Sequence, residues 1–226
     1  MYAERGTRLP HVLAWHSVVE PDAQPSRILP DGCMDVIWHE GHVFVAGADT
    51  TAQSGGPMAP VGSRYFAVRF AAGTGPGVLG LPADELTDRQ VPLDALVPAA
   101  ESRRIAGAGD PLAALMAFVT RRWQPPDETM VTVHRAARSG LPVAAIADVC
   151  GLSLRQLQRR VTAAYGYGPK TLARILRLQR ALPAARGGRP FAEVAVAAGY
   201  ADQAHLSREV KALAGVSLGD LVRGPG

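Results

Sequence analysis

The sequence predicts an α+β protein, in which a β-rich N-terminal domain (residues 1–124) ending in helices is followed by an all-α domain (residues 127–226). Three observations predict this. β-prone runs and turn residues are confined to the first half, helical periodicity runs through the second half, and the net charge changes sign between them. Gln124-Pro125-Pro126-Asp127 is the best candidate linker, because two prolines stop a helix and stiffen the connection.

Short β-prone runs mark the N-terminal domain. Val36-Ile37-Trp38 and Val43-Phe44-Val45 flank Glu40-Gly41, which predicts a hairpin because glycine tolerates positive φ. Tyr65–Phe70 has the alternation of a strand with one buried face. We expect these strands to curl into a partial, cupin-like barrel. An amphipathic helix follows at Pro111–Trp123, with proline at its first position.

The charge distribution separates the halves. Through Pro126 there are 10 arginines and no lysine against 13 acidic residues, a net charge of −3. From Asp127 onward there are 14 lysines plus arginines against 7 acidic residues, a net charge of +7, which gives +4 for the chain. A basic half next to a mildly acidic half indicates that the C-terminal part meets a polyanion. The alternative is a solubilising charged surface.

Composition excludes several classes of protein. Hydrophobic residues make up 47% and charged residues 19% of the chain, an ordinary globular balance. No apolar run approaches the roughly 20 residues that span a bilayer, and the N-terminus does not resemble a signal peptide. We therefore expect a cytoplasmic protein without membrane contact. Cys33 and Cys150 are too few for a disulfide framework or a four-cysteine zinc site, and no cofactor is expected.

One helical pattern occurs twice in the second half, over Leu141–Val161 and Arg189–Val210. Each copy has a proline at the first helical position, an alanine within the first helix, a glycine at the turn and a capping residue before the second helix. These residues are Pro142 and Pro190, Ala147 and Ala195, Gly151 and Gly199, and Ser153 and Asp202. Glycine ends a helix in the left-handed conformation, and Ser or Asp accepts backbone N–H groups at the next N-terminus. Each copy therefore predicts a helix-turn-helix unit.

The second helix of each unit is amphipathic. The apolar residues expected to pack inward are Leu154, Leu157, Val161, Leu206 and Val210. The polar residues expected to face outward are Arg155, Gln156, Gln158 and Arg159 in the first unit, and Gln203, His205, Arg208 and Lys211 in the second. Arginine can fork onto guanine and glutamine can pair with adenine in the major groove. Two such units in tandem indicate a double-stranded DNA-binding protein over a structural helical bundle.

A helix from about Lys170 to Ala185 connects the units. Its apolar side carries Leu172, Ile175, Leu176 and Leu178, and its polar side carries Arg174, Arg177 and Arg180. Such a helix can act as a rod that matches the distance of about 34 Å between successive major grooves on one face of DNA. Lys170, Arg174 and Arg177 are expected to contact phosphates.

From about Asp127 to Arg223 the sequence resembles the DNA-binding domain of the AraC/XylS family of bacterial transcriptional regulators. The most specific match is Ala198–Lys211, followed by Ala214–Ser217. The resemblance implies seven helices, with one recognition helix in each unit, the first over Ser153–Ala164.

The resemblance also implies particular base-facing residues. These are Arg155, Gln158 and Arg159 in the first recognition helix, and Gln203, Ala204 and Arg208 in the second, with His205 near the DNA backbone. Two residues depart from the family pattern. Pro183 falls inside the linker helix, where it can kink or shorten the rod, and Leu218 stands where the family often has proline.

The N-terminal half is similar to an uncharacterised β-rich domain that precedes AraC-type DNA-binding domains. The similar segments are Leu29–Ile37, Ala46–Thr50 and Leu79–Ala83. This domain is expected to sense a small molecule or to form a homodimer, and RNA polymerase is a further partner if the protein is an activator. Five aromatic residues either line an effector pocket or fill the domain core: Trp15, Trp38, Phe44, Tyr65 and Phe70.

The alternative function is a metal- or cysteine-dependent enzyme acting on DNA or a small molecule through the N-terminal domain. Its candidate residues are His11, His16, His39, His42, Cys33 and Asp35. His39 and His42 flank the predicted turn, the spacing fits no metal-ligand pattern, and a methyl-accepting Cys33 would need zinc ligands that the chain lacks. The sequence therefore favours no metal site and no catalytic residue. Cys150 is expected in the core.

Overall fold

The computed structural model describes residues 2–22, 26–55 and 59–223. Its strands are β1 Tyr2–Gly6, β2 Val12–Val18, β3 Ser26–Ile28, β4 Met34–His39, β5 His42–Ala46, β6 Gln53–Gly55, β7 Arg64–Phe70 and β8 Gln90–Pro92. Six strands form one sheet in the order β1-β2-β7-β4-β5-β8, and β3 pairs with β6 separately. Neighbouring strands are antiparallel throughout.

Helices follow the sheet, so the predicted α+β architecture is confirmed. They are α1 Gly75–Leu79, α2 Ala99–Ala106, α3 Pro111–Arg122, α4 Glu128–Arg138, α5 Val143–Val149, α6 Leu154–Tyr165, α7 Pro169–Arg186, α8 Phe191–Ala198, α9 Gln203–Ala214 and α10 Leu218–Arg223. Short 3-10 helices lie at Ala83–Glu85 and Leu93–Ala95. Helix α10 begins at Leu218, so the departure from proline there does not remove the last helix.

The predicted hairpin is formed by β4 and β5. Glu40 and Gly41 connect the strands with φ values of 44° and 82°. Two successive residues in the left-handed region are the signature of a type I′ turn, which matches the twist of the flanking strands. The hairpin therefore has the turn that its glycine predicts.

The large sheet buries one face. On that face Val36, Val45, Val68 and Phe70 have no exposed surface, and α3 packs on β4 and β7. The indole N–H of Trp38 also points to this side, where it donates to the carbonyl of Ala106 at 2.9 Å. The sheet and helices α2 and α3 therefore enclose the core of the first half.

Contacts also join the two halves of the chain. The Thr87 hydroxyl donates to the carbonyl of Gly166 at 2.8 Å. The amide of Gln179 donates to the carbonyl of Pro30 at 2.7 Å, and the N–H of Ala52 donates to the carbonyl of Leu213 at 2.7 Å. The β-rich half thus contacts α7 and the ends of α6 and α9, beyond the Pro125-Pro126 connection.

Helix α7 is the predicted connector. It is 18 residues long, which corresponds to about 27 Å at 1.5 Å per residue. Pro183 lies within its last turn and the helix continues to Arg186. The helix therefore extends one residue beyond the predicted Lys170–Ala185 at each end, and Pro183 does not shorten the connector.

Candidate nucleic-acid interface

The first helix-turn-helix unit consists of α5 and α6. Gly151 has a φ of 63°, the left-handed turn that its sequence predicts. Ser153 caps α6 by accepting the N–H of Gln156, whose side chain accepts the N–H of Ser153 in return, so the two form a capping box. Pro142 stands one position before α5, as its N-cap rather than its first helical residue.

The second unit, α8 and α9, repeats this construction. Gly199 ends α8 with a φ of 80°, and Asp202 caps α9 by accepting the N–H of His205 at 2.6 Å. Pro190 is again the N-cap residue. Ala147 in the first unit and Ala195 in the second are both buried, which agrees with the close helix crossing expected at a small side chain.

Most of the predicted inward side chains are buried, but one is not. Leu157, Val161, Leu206 and Val210 have no exposed surface. Leu154, in contrast, is 58% exposed, so the prediction that it packs inward was wrong. Leu154 is the first residue of α6, and the buried side of this helix begins one turn later, at Leu157.

Ten of the predicted DNA-contacting residues are exposed, and three of these, Ser153, Gln156 and Asp202, belong to helix caps. The other seven are Arg155, Gln158, Arg159, Lys170, Gln203, Arg208 and Lys211. Among the described residues, none of the five cations in this set has an acidic partner within 4 Å. The amide of Gln158 donates to the hydroxyl of Thr162 at 3.2 Å, a weak contact at an exposed position. We call these seven residues the reading surface.

Four other predicted residues serve the fold of the units. Ser153 and Asp202 are caps, and Gln156 completes the capping box. The Nδ1 atom of His205 accepts the N–H of Ala201 at 3.3 Å, and its ring packs edge-on against Tyr200. Their side chains are held by local hydrogen bonds and a ring contact.

Two of the linker arginines contact the second unit. Arg174 pairs with Glu209 of α9, with Nε–Oε2 at 2.8 Å, and the Arg177 guanidinium lies 5.4 Å from the ring centre of Tyr200. Both side chains therefore help to pack α7 against α8 and α9. Lys170 alone of the three predicted phosphate contacts is exposed.

The five aromatic residues of the predicted effector pocket do not share one face of the sheet. Trp38 and Phe70 are 6% and 0% exposed on the core face. Trp15, Phe44 and Tyr65 lie on the opposite face, as the strand register requires. A single pocket on one face of the sheet therefore cannot be lined by all five side chains. Trp38 and Phe70 fill the core instead.

A half-buried charge cluster lies on the same face as Trp15. The Trp15 indole donates to Asp35 at 2.6 Å, and Arg69 forms an ion pair with Asp31. Burial raises the pKa of Asp35 to about 6, although Arg69 and the Trp15 hydrogen bond oppose the shift. Burial also raises the pKa of Cys33 to about 12, which keeps this thiol protonated.

The candidate metal ligands are not gathered into one site. His39 stacks on Tyr65 with ring centres 4.1 Å apart, and His16 stacks on Phe66. Within residues 2–22, 26–55 and 59–223, no group of three or more His, Cys, Asp and Glu side chains could hold a metal ion. Cys150 is half-buried beside the turn of the first unit.

Sequence reasoning missed a cavity of about 560 Å³ between the β-rich half and helices α4 and α7. Its basic lining includes His134, Arg135 and Arg138 of α4, and Arg180 of α7. The only available signal was the spacing of three basic residues within two turns of α4. Without the tertiary contacts, that spacing does not distinguish a cavity wall from a solvated helix face.

Two protein families match parts of the chain. Residues 146–224 match the family described as "Helix-turn-helix domain", and residues 8–92 match the family described as "Domain of unknown function (DUF6597)". No curated protein matches the chain significantly. Of the helices in the described residues, none is long and apolar enough to cross a membrane.

Several solved structures are similar to the chain at low identity. A probable AraC family transcriptional regulator from Rhodopseudomonas palustris CGA009 is 17% identical, with a TM-score of 0.38, over 43% of this chain and 96% of that one. ToxT from Vibrio cholerae O395 is 10% identical, with a TM-score of 0.48, over 98% and 96%. ToxT from strain SCE256 with a bound unsaturated fatty acid is 10% identical, with a TM-score of 0.46, over 93% and 94%.

The matched segment of residues 146–224 begins within α5 and contains the rest of the first helix-turn-helix unit, the connector and the second unit. The order of its helices and the positions of its turn glycines are those that the resemblance implies. The chain thus carries a helix-turn-helix domain over residues 146–224, behind a domain of unknown function over residues 8–92.

Proposed function

We propose that this chain is a sequence-specific transcriptional regulator that reads two successive major grooves of double-stranded DNA. The observation that carries this proposal is the exposure of arginine and glutamine side chains on both capped second helices, α6 and α9. An exposed polar side is typical of surface helices in general, but here it occurs on the second helix of each of two repeated helix-turn-helix units. Here the apolar sides are buried and the polar sides are open.

Each residue of the reading surface receives a role from its chemistry. Arg155, Gln158 and Arg159 on α6 would contact base edges in one groove, and Gln203 and Arg208 on α9 would do so in the next. Lys170 and Lys211 would contact phosphates, since an ammonium group acts as a point charge without a fixed fork. Arg174 and Arg177 would contribute less to phosphate binding, because they contact Glu209 and Tyr200 within the protein.

The proposal is tested by selecting bound duplexes from a random DNA pool with the full chain. We expect a reproducible bipartite sequence. Arg159→Ala and Arg208→Ala should then each weaken binding to the selected duplex by about 1–3 kcal/mol and relax selectivity at one base position. Arg103→Ala is the matched control, because Arg103 is an exposed arginine of α2 outside the reading surface.

Two results would contradict the proposal. One is a pool without enriched sequence. The other is an equal loss for the two reading-surface variants on selected and random duplexes, since that pattern identifies contacts to phosphate alone.

We further propose that the β-rich domain, residues 1–124, modulates the DNA-binding domain, residues 127–226, through a small-molecule effector or through dimerisation. Three hydrogen bonds between the halves support this coupling, because they touch the end of α6, α7 and the end of α9. If the protein activates transcription, RNA polymerase is its further partner. Titration of DNA binding with candidate metabolites, and sedimentation of the free protein, test the two modes.

We assign no catalytic step to the β-rich domain. The Cys33 thiol is the one nucleophile that sequence reasoning singled out there, and the raised pKa keeps it in the unreactive protonated form at neutral pH. Elemental analysis and thiol-reactivity measurements on the purified protein test this assignment. A stoichiometric transition metal, or a Cys33 that alkylates rapidly at pH 7, would restore the enzyme alternative.

A further inference from the structure

The cavity between the two halves carries a concentration of positive charge that the protein does not neutralise. Arg135 and Arg138 of α4 and Arg180 of α7 line it together with two histidines, His134 and His11. Within the described residues, the three arginines have no acidic partner within 4 Å. The one acidic side chain in the lining, Asp31, is already paired with Arg69.

Both burial and like charges act against the charged forms of these groups. The pKa of His134 is lowered by burial and by the nearby charge of Arg138. The pKa of Arg180 is lowered by burial and by the charges of Arg177 and Arg138. A cluster of like charges in a half-enclosed space is unfavourable by itself, and a bound anion would remove the penalty.

Two nitrogens in this lining lack hydrogen-bond partners. Nδ1 of His134 and Nε of Arg180 are both buried, and neither makes a hydrogen bond. An unpartnered buried nitrogen costs free energy, but atoms without accessible surface do not themselves contact a ligand in the cavity. The remaining wall contains Met130, Val131 and Leu176 and is apolar, which suits a ligand with a hydrophobic body.

The size of the cavity fits a small organic molecule. Its volume of about 560 Å³ lies within the range of about 300–1,000 Å³ that is typical of ligand pockets. The unneutralised positive charge, the apolar wall and the volume therefore all favour a small organic molecule with a negative charge.

Arg180 connects this cavity to both helix-turn-helix units. Its guanidinium donates to the carbonyl of Arg138, the last residue of α4. It also donates to the carbonyl of Ala198, the last residue of α8, at 2.9 Å. Helix α4 packs on α5 and α6, and α8 packs on α9. One side chain of the connector thus holds the first unit and the second unit at once.

We infer that this cavity binds a small organic anion with an apolar body, and that the bound anion raises DNA affinity by fixing the joint that Arg180 makes between the two units. The inference rests on the proposed function for its effect on DNA, but the binding of the anion does not. By neutralising the cluster, the ligand would tighten α4 and α7 against each other. When the two units are held in a fixed arrangement, less conformational entropy is lost as both of them bind DNA.

The first experiment measures ligand binding without DNA. The full chain is titrated calorimetrically with 1-naphthoate, 1-naphthyl phosphate and the neutral analogue 1-naphthamide. We expect saturable binding of at least one anion and no measurable binding of the amide. The two anions distinguish a carboxylate site from a phosphate site. Binding of the amide as tightly as the anions, or of no probe at all, would overturn the inference.

A pair of variants locates the site. Arg138→Gln removes an exposed charge from the cavity and leaves intact the backbone carbonyl that Arg180 uses, so the fold should persist. It should weaken anion binding about tenfold or more, because a charged hydrogen bond is lost. Arg103→Gln makes the same chemical change on α2, outside the cavity lining, and should leave binding unchanged. Equal affinity in the two variants would place the anion elsewhere and overturn the site.

The second experiment measures the coupling. The anion should tighten binding of the selected duplex with two half-sites, and should leave binding of a duplex with one half-site unchanged. Arg180→Lys keeps the charge but cannot reach both carbonyls, so it should lose this enhancement. An unchanged two-site affinity at saturating anion would overturn the coupling. If the protein binds no specific duplex, the proposed function fails, and the calorimetric result stands separately.

Discussion

Arg174 of the connector α7 and Glu209 of the second recognition helix α9 form a two-pronged ion pair. Nε of Arg174 lies 2.8 Å from Oε2 of Glu209, and its terminal nitrogen lies 3.2 Å from Oε1. The two residues are 35 positions apart in sequence. The pair therefore links the second recognition helix α9 to the connector α7, and the carboxylate of Glu209 balances the positive charge of Arg174.

The first prediction concerns this pair. Arg174→Ala should lower the free energy of unfolding by about 1 kcal/mol, a modest value because the Arg174 side chain is 40% exposed and solvent screens the pair. Chemical denaturation of Arg174→Ala, Glu209→Gln and the double variant gives the coupling energy. We expect about 0.5–1 kcal/mol, and strictly additive losses would show that the ion pair contributes nothing.

The second prediction concerns the cap of the first recognition helix. Ser153 accepts the N–H of Gln156 at 3.2 Å and anchors the capping box. Ser153→Ala should destabilise the protein by about 1 kcal/mol. Thr120→Ala, a comparable change at an exposed position of α3, should cost much less. Thermal unfolding compares the two, and an equal loss would mean that the cap is not stabilising.

The third prediction concerns the contact between the β-rich half and the end of α6. Gly166 has a φ of 83°, and a Cβ there would lie 2.3 Å from the Thr87 hydroxyl. Gly166→Ala should therefore combine backbone strain with a steric clash and cost about 2 kcal/mol or more.

Gly151 provides the matched control for that prediction. Its φ is 63°, but a Cβ there would meet nothing within 4 Å. Gly151→Ala should thus show the backbone strain alone, about 1–2 kcal/mol. Adding Thr87→Ala should recover part of the loss in Gly166→Ala and none of the loss in Gly151→Ala. Recovery in both, or in neither, would contradict the contact.

The fourth prediction concerns the pH dependence of stability. Burial raises the pKa of Asp35 from 3.8 to about 6 in the folded protein. Because the folded pKa exceeds the unfolded value, the folded state holds this proton more tightly, and the stabilisation from Asp35 protonation is lost as pH rises from about 4 through 6. Asp35→Asn retains the acceptor for Trp15 and removes this titration.

The measurement is denaturant unfolding of both proteins between pH 4 and pH 7. Relative to Asp35→Asn, the wild-type protein should lose about 1–3 kcal/mol over this interval. Parallel stability profiles would mean that Asp35 has the same pKa in the folded and unfolded states.

Features determined by local sequence were predictable. The Glu40-Gly41 turn, α3 and the connector α7 depend on turn chemistry, helix starts and apolar periodicity within a few residues. Strand β1, by contrast, was missed, because Tyr2–Gly6 is exposed throughout and shows no apolar alternation. It exists through its pairing with β2, which a local pattern does not reveal.

The site divides in the same way. The outward direction of Arg155, Arg159 and Arg208 follows from helical spacing, and the structure agrees. The ion pair of Arg174 depends on Glu209, which lies on another helix, so no local pattern could have revealed it. The cavity formed with Arg180 likewise exists only after the two halves meet.

The most direct test of the account is the dependence of affinity on the spacing of the two half-sites. Fluorescence anisotropy compares the selected duplex with one in which 5 base pairs are inserted between the half-sites, about half a turn of DNA. If α6 and α9 are held on one face of the duplex by α7, the insertion should weaken binding about a hundredfold or more, because only one unit can then make its base contacts. Unchanged affinity would contradict a two-groove reader built on a stiff connector.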